Sequence, residues 1–102
     1  MKEYNKLVRD KIPEIIKANG EIPVVYFADE KRYILKLKEK LQEEVSEFIE
    51  SEDIEELADV LEVVHALISF KGKTFDEIEK IRINKLEKRG GFKNKIILEK
   101  VN

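Results

Sequence analysis

The apolar residues of this chain recur at helical spacing in three stretches. Within residues 30–49 they form one stripe of a helix, made of Ile34, Leu37, Leu41, Val45 and Phe48. Residues 60–68, Val-Leu-Glu-Val-Val-His-Ala-Leu-Ile, are apolar on nearly every side, as in a buried helix. Residues 75–88 carry a broad apolar side formed by Phe75, Ile78, Ile81, Ile83 and Leu86. The pattern therefore predicts three long helices.

Capping residues indicate where the first helices begin and end. Asp10 is placed to cap a short helix that has Pro13 in its first turn, and Asn19-Gly20 ends it. Asp29 starts the long second helix, which we expect to run to about Ile49. The chain thus begins with a short helix followed by a much longer one.

Turn and cap signals also delimit the last two helices. A turn is predicted near residues 51–53, and Lys71-Gly72 is a basic residue followed by a glycine that can end a helix. Thr74 with Glu77 three residues later is a capping-box pattern. It opens a last helix that we expect to end at about Lys88.

Two segments outside the helices have β-prone composition. Pro23 confines residues 22–27 to an edge strand or an irregular extended piece, and residues 95–100 are similarly apolar. We therefore expect one domain, residues 1–102, with an all-α fold: a bundle of about four helices with an antiparallel acidic helix hairpin. A minor two-stranded β piece, 22–27 paired with 95–100, could be added to it.

Four carboxylates are spaced to face one another across the hairpin. Glu44 and Glu47 are three residues apart on one helix, and Glu56 and Asp59 are three apart on the next. In an antiparallel pair, residues at equal height have a constant sum of residue numbers. Glu44 with Asp59 and Glu47 with Glu56 satisfy this rule, so they form two rungs about 4.5 Å apart. Oxygen ligands in this arrangement suit Mg²⁺, with Mn²⁺ as a substitute.

A purely structural interpretation competes with the metal site. A glutamate-rich helix in a highly charged chain is most often a solvated face, and Asp53 with Glu56 is another capping-box pattern. Capping does not account for Asp59, however. Viewed down the helix axis, Glu56 and Asp59 also lie on either side of Val63, which is apolar and expected to be buried. Carboxylates that border a core cost desolvation free energy unless a cation balances them.

Composition excludes several classes of protein. The chain has 102 residues and a formal net charge of -2, so no positive excess favours general nucleic-acid binding. The absence of cysteine excludes disulfides, zinc–thiolate sites and cysteine nucleophiles, and a single histidine excludes multi-histidine sites. No apolar run is long enough to cross a bilayer, and no signal-peptide layout is present. We therefore expect a cytoplasmic protein without a membrane partner.

The helix at 60–68 also bears on assembly. It is apolar on more sides than a small four-helix monomer can cover, so we expect a homo-oligomer, most simply a C2 dimer. We expect His65, which has apolar neighbours, to be a core or interface histidine rather than a ligand.

A magnesium cluster held by carboxylates suits cleavage of a phosphoanhydride bond, because the metal lowers the pKa of a bound water. Basic residues must then bind the phosphate oxygens that the metal does not reach. Arg89 is the best single candidate, because Gly90-Gly91 after it lets backbone approach a ligand. Glu43 neighbours the cluster and could orient or deprotonate the water. The full set of candidate phosphate-binding residues is Arg9, Lys11, Lys85, Lys88 and Arg89.

The motifs resemble those of a known superfamily. Residues 43–47, Glu-Glu-Val-Ser-Glu, followed by 56–59, Glu-Leu-Ala-Asp, resemble the E-E-x-x-E … E-x-x-D signature of the MazG-like all-α nucleotide pyrophosphohydrolases. Residues 4–13 and 88–92 look like the ends of a short subgroup labelled phosphoribosyl-ATP pyrophosphohydrolase-like. Many members separate the two half-motifs by a dozen or more residues, whereas here only residues 48–55 intervene.

The resemblance implies a reaction and a set of ligands. It implies Mg²⁺ ligation by Glu44, Glu47, Glu56 and Asp59, with Glu43 as a helper, and it places Lys85 and Arg89 near the phosphates. The implied reaction converts a nucleoside triphosphate and water to the monophosphate and pyrophosphate, as in the removal of non-standard nucleotides. Two alternatives stay open: phosphoribosyl-ATP hydrolysis in histidine biosynthesis, and a non-catalytic helical module that binds cations or a basic partner.

Overall fold

The computed structural model describes residues 2–102, and its regular structure is entirely helical over that range. The prediction of an all-α bundle of four helices is therefore confirmed. No helix among the described residues is both long and apolar enough to span a membrane. In chain order the helices are α1 (Ile12–Ala18), α2 (Glu30–Ser51), α3 (Ile54–Phe70) and α4 (Phe75–Arg89).

Side-chain caps fix the starts of the long helices. Asp29 accepts a hydrogen bond from the backbone N–H of Arg32 at 2.8 Å, which satisfies one free donor at the start of α2. Thr74 and Glu77 form both halves of the predicted capping box at the start of α4. Each cap provides a hydrogen-bond acceptor for a backbone N–H group at the start of its helix. The helix starts predicted from Asp29 and Thr74 are therefore confirmed.

The predicted cap at Asp10 is wrong. The N-cap of α1 is Lys11, and its side chain makes no capping hydrogen bond. The chain enters this helix through a turn in which the backbone N–H of Ile12 donates to the carbonyl of Arg9 at 3.1 Å. This turn shifts the helix start one residue along. Pro13 does lie in the first turn, where a missing N–H removes no helical hydrogen bond.

The predicted β piece does not form. Residues 22–27 and 95–100 contain no strand or bridge, and their apolar side chains are exposed, as with Phe27 at 97% and Ile97 at 83%. An isolated pair of strands is marginal in water unless it packs on another layer. No helix of the described chain covers these segments, and Pro23 removes one donor from the ladder.

The α2–α3 hairpin is the structural unit that carries the site. The two helices pack closely along their length, and the turn between them places Glu52 in the left-handed region at φ 56° before Asp53 caps α3. Leu37 from α2 and Val63 from α3 are buried at its centre. The stack of His65 on Phe75, with ring centroids 4.4 Å apart, joins the start of α4 to α3.

Candidate metal centre

Three of the four predicted carboxylates converge where α2 faces α3. Glu44, Glu56 and Asp59 each offer one oxygen, and these oxygens all lie within 4.8 Å of one another. Glu44 and Asp59 belong to one predicted rung, so the register deduced from the constant sum of residue numbers holds there. Glu47 is exposed and lies outside this trio, although its carboxylate is a hydrogen-bonding neighbour of Glu56.

Glu44 is the residue that makes this cluster unusual. Only 7% of the residue is exposed, and it is the one charged residue among 2–102 that is classed as buried. Its Oε1 lies 3.3 Å from the Nζ of Lys40, but its Oε2 accepts no hydrogen bond from residues 2–102. The Oε2 of Glu56 is likewise buried and has no hydrogen-bond partner within the described part of the chain. Two buried carboxylate oxygens thus lack the donor that such atoms normally have.

Burial and the neighbouring carboxylates both raise pKa values within the cluster. Burial, the hydrogen bond with Glu47, and the charges of Glu47, Asp59 and Glu44 raise the pKa of Glu56 to about 7. Burial also raises the pKa of Glu44, and the nearby Lys40 opposes this rise only in part. Burial is the largest cause of both shifts, and the charges of the neighbouring carboxylates add to it. A bound cation would oppose both shifts, because it favours the charged carboxylates.

The competing capping role of Glu56 is not observed. The Asp53 side chain accepts from the backbone N–H of Glu55, and the N–H of Glu56 donates to the carbonyl of Asp53 at 3.1 Å. The Glu56 side chain is consequently free of the helix start and faces Glu44 and Asp59. The structure thus favours the convergent interpretation over the capping one for this residue.

The segment before α1 brings one cation to the cluster and a second cation to the neighbouring Glu43. Arg9 donates from Nη2 to the Oδ1 of Asp59 at 2.8 Å, and Lys6 donates to the Oε1 of Glu43 at 2.8 Å. Lys36 on α2 holds this segment by donating to the carbonyl of Asn5 at 2.7 Å. Arg9 was a predicted phosphate-binding residue, and the structure places it directly at the carboxylates.

Glu43 has partners that change what it can do. Its carboxylate pairs with Lys6 and also lies 3.5 Å from the Nζ of Lys40. The hydrogen bond from Lys6 is the main reason that the pKa of Glu43 lies below its ordinary value. A base with a lowered pKa accepts a proton less readily, so Glu43 would act as a base only after Lys6 moves away.

A pocket of about 180 Å³ opens between this segment and the hairpin. Residues 7–10 form one wall, and Lys40, Glu44 and Asp59 lie opposite. The volume suits a phosphate group with its hydration, whereas pockets that enclose whole ligands usually measure about 300–1,000 Å³.

The remaining predicted phosphate-binding residues lie elsewhere. Lys11 is exposed and does not line the pocket. Lys85, Lys88 and Arg89 occupy the second half of α4, and Arg89 instead borders a separate hollow with residues 90–97. The structure therefore does not bring these four cations to the carboxylates of the same chain, and their assignment stays a prediction.

Sequence reasoning missed three polar residues of the site. Lys40 lies four residues before Glu44, a spacing that predicts an ion pair on one helix face. Glu62 lines the pocket and lies three residues after Asp59, so the helical repeat could have revealed it too. Lys6 had no such signal, because its approach to Glu43 depends on how an irregular segment folds back.

Comparison with known proteins gives a short match of undefined function. An uncharacterized protein of Mycolicibacterium smegmatis is 48% identical over 42 residues, which is 41% of this chain and 43% of that protein. The chain thus aligns with less than half of that relative's length. No protein-family model matches the chain, and no solved structure matches it.

Proposed function

We propose that this chain is a cytoplasmic Mg²⁺-dependent nucleotide pyrophosphohydrolase, which converts a nucleoside triphosphate and water to the monophosphate and pyrophosphate. One observation carries the proposal. The buried Oε2 atoms of Glu44 and Glu56 have no hydrogen-bond partner among residues 2–102, and these two residues and Asp59 each bring one carboxylate oxygen to within 4.8 Å of the others. Buried carboxylate oxygens without donors are costly, and a hard cation relieves that cost.

The residues present suit a magnesium site. All donors are carboxylate oxygens, which Mg²⁺ prefers, and Mn²⁺ accepts the same ligands. Glu44, Glu56 and Asp59 would hold the ion, and Glu47 is near enough to Glu56 to join them. When bound, the ion neutralises phosphate charge and lowers the pKa of a water molecule.

Basic side chains of the chain itself would bind the phosphate groups of the substrate. Arg9 has a planar, permanently charged side chain that can exchange Asp59 for a phosphate oxygen. Lys40 lines the same pocket and can contact a second phosphate oxygen. With the ionic charges balanced in this way, catalysis requires positioning and electrostatic stabilisation rather than a covalent nucleophile.

The ion pairs of the segment before α1 favour a second candidate. Arg9 and Lys6 already offset part of the acidic charge, as they would in a helical module that binds cations or a basic partner without cleaving anything. The two candidates differ in turnover, because only the hydrolase cleaves a nucleotide. A module that binds a basic partner would also gain no stability from Mg²⁺, whereas the hydrolase would.

The test is turnover of a nucleotide panel. The protein is incubated with Mg²⁺ and each nucleoside triphosphate, and with phosphoribosyl-ATP, and pyrophosphate and orthophosphate are measured separately. We expect pyrophosphate and a monophosphate, no turnover by Glu56→Gln or Asp59→Asn, and full turnover by the control Glu50→Gln on the exposed side of α2. Cleavage of phosphoribosyl-ATP alone would assign the chain to histidine biosynthesis. Release of orthophosphate alone contradicts the proposal, and absence of any cleavage supports the non-catalytic module.

A further inference from the structure

A short irregular segment before α1 contacts the helix hairpin. Residues 4–10, which we call the strap, contain no helix or strand, and Leu7 is the only one of them that is not exposed. Lys36 of α2 holds the first part of the strap by donating from Nζ to the carbonyl of Asn5 at 2.7 Å. The helix that follows adds no support, because α1 does not pack closely on α2, α3 or α4. Polar contacts therefore provide most of the attachment of the strap to the hairpin.

Two ion pairs join the strap to the acidic side of the hairpin. Lys6 donates to Glu43 and Arg9 donates to Asp59, each over 2.8 Å. The Arg9 side chain is 55% exposed and that of Asp59 is 39% exposed. Ion pairs with this exposure contribute little to stability, because water screens both charges. Separating Arg9 from Asp59 therefore costs little free energy.

Asp59 is the point at which the strap meets the candidate metal centre. Its Oδ1 accepts a hydrogen bond from Arg9, and Asp59 also brings one oxygen to within 4.8 Å of oxygens of Glu44 and Glu56. A guanidinium is always charged in proteins, so Arg9 cannot lose its charge when a second cation approaches. Two positive charges that share one carboxylate repel each other. Arg9 and a cation at this centre therefore oppose each other.

A different arrangement would leave Arg9 on one oxygen of Asp59, where it would orient the other oxygen for the ion. Two observations favour release instead. The ion pair is half-exposed and therefore weak, as described above. Arg9 also lines the pocket beside Asp59, so a released guanidinium faces a space in which it can bind an anion.

We propose that Arg9 and a divalent cation compete for Asp59, so that the strap leaves this carboxylate when the cation binds. This inference rests on the metal site of the proposed function, and it adds an order of events. Arg9 becomes available to a phosphate group only after the cation has taken its place at Asp59. Lys36 keeps its hold on the first part of the strap throughout, because it binds a backbone carbonyl for which the cation does not compete.

The Mn²⁺ affinity of the full chain tests the competition without substrate or turnover. Arg9→Gln removes the charge and keeps a polar side chain, and it should bind Mn²⁺ about fivefold more tightly than wild type because no ion pair has to be broken. The control Arg82→Gln removes the same charge from α4, where Arg82 pairs with Glu79, and its affinity should equal that of wild type. Weaker or unchanged binding by Arg9→Gln overturns the proposal.

Trypsin cleavage within the strap reports its release directly. Linkage requires the cation to weaken the Arg9–Asp59 contact by the same factor, so saturating Mg²⁺ should speed cleavage after Lys6 and Arg9 about fivefold. Cleavage after Lys93, in the exposed chain that follows α4, should not change and controls for the protease. Asp59→Asn should be cleaved in the strap at one rate with and without Mg²⁺. Slower or unchanged cleavage of the wild-type strap in Mg²⁺ overturns the proposal.

The Mn²⁺ measurement also separates the failure of this inference from the failure of the metal site. If wild type, Arg9→Gln and Arg82→Gln all show no saturable Mn²⁺ binding, the metal site and the competition are both wrong. If wild type binds Mn²⁺ saturably and Arg9→Gln binds no more tightly, only the competition is wrong and the carboxylate site stands.

Discussion

Replacing Glu44 by glutamine should stabilise the metal-free protein and abolish its response to Mg²⁺. The Glu44 side chain is 9% exposed, and its Oε2 has no donor among the described residues, an arrangement that costs about 1–3 kcal/mol. A glutamine amide can donate to a neighbouring carboxylate oxygen, and it removes one charge from a cluster that spans only 4.8 Å. Lys40 loses a 3.3 Å contact but keeps Glu43 at 3.5 Å. The expected net gain is therefore about 1 kcal/mol.

The assay is thermal unfolding at pH 8 with and without Mg²⁺. A gain of about 1 kcal/mol should raise the melting temperature of metal-free Glu44→Gln by roughly 4–8 °C. Wild type should gain about 2.7 kcal/mol when free Mg²⁺ is 100-fold above its dissociation constant, whereas the variant should gain nothing measurable. The control Glu50→Gln removes the same charge from the same helix outside the cluster, and it should respond to Mg²⁺ as wild type does.

The result that would refute this reasoning is specific. If Glu44→Gln is less stable than wild type without metal and still gains stability from Mg²⁺, then the buried carboxylate is a structural partner of Lys40 and the ion binds elsewhere. If Glu44→Gln is less stable without metal, its change in stability on adding Mg²⁺ still shows whether the ion binds at Glu44. That change is measured relative to the metal-free state of the variant itself.

Four further outcomes are expected. Glu56 has a pKa of about 7 in the folded chain, against 4.5 ordinarily, so the unfolded chain releases this proton first as the pH rises. The free energy of unfolding of the metal-free protein should therefore fall between about pH 4.5 and 7. A free energy of unfolding that stays constant across this range would contradict the shift. Arg9→Ala should change metal-free stability by less than about 1 kcal/mol, because its ion pair is half-exposed, yet lower nucleotide turnover by about tenfold; unchanged kcat/KM would remove Arg9 from the site. Leu37→Ala, at the most deeply buried position, should cost about 2–5 kcal/mol in chemical denaturation, and a cost below 1 kcal/mol would contradict the packing. Thr74→Ala should cost about 1 kcal/mol through the lost cap of α4, seen as reduced helicity on heating and absent from Thr74→Ser.

The long helices and the hairpin register followed from sequence because their causes are local. Asp29 and Thr74 satisfy backbone donors within their own first turn, so their position in the sequence is sufficient to place a helix start. The spacing of Glu44 and Asp59 needed only the antiparallel turn to bring them together. Local chemistry and a short turn therefore determined most of the candidate site.

Other features depend on contacts that no local pattern specifies. Lys6 and Arg9 reach the carboxylates because an irregular segment folds back over α2, a choice made by tertiary contacts such as that of Lys36 with the Asn5 carbonyl. Similarly, residues 22–27 have strand composition, but no strand among residues 2–102 lies beside them to satisfy their backbone groups. A high β-propensity therefore predicts a strand only where a second strand is available to pair with it.

The most direct test of the shared-cation site is a Mn²⁺ titration followed by electron paramagnetic resonance, which reports free ion and needs neither substrate nor turnover. Wild type should bind Mn²⁺ saturably and release it when Mg²⁺ is added, whereas Glu44→Gln and Asp59→Asn should show no saturable binding over the same concentration range and Glu50→Gln should match wild type. Equal binding by all four proteins would contradict a cation held by the facing carboxylates of α2 and α3.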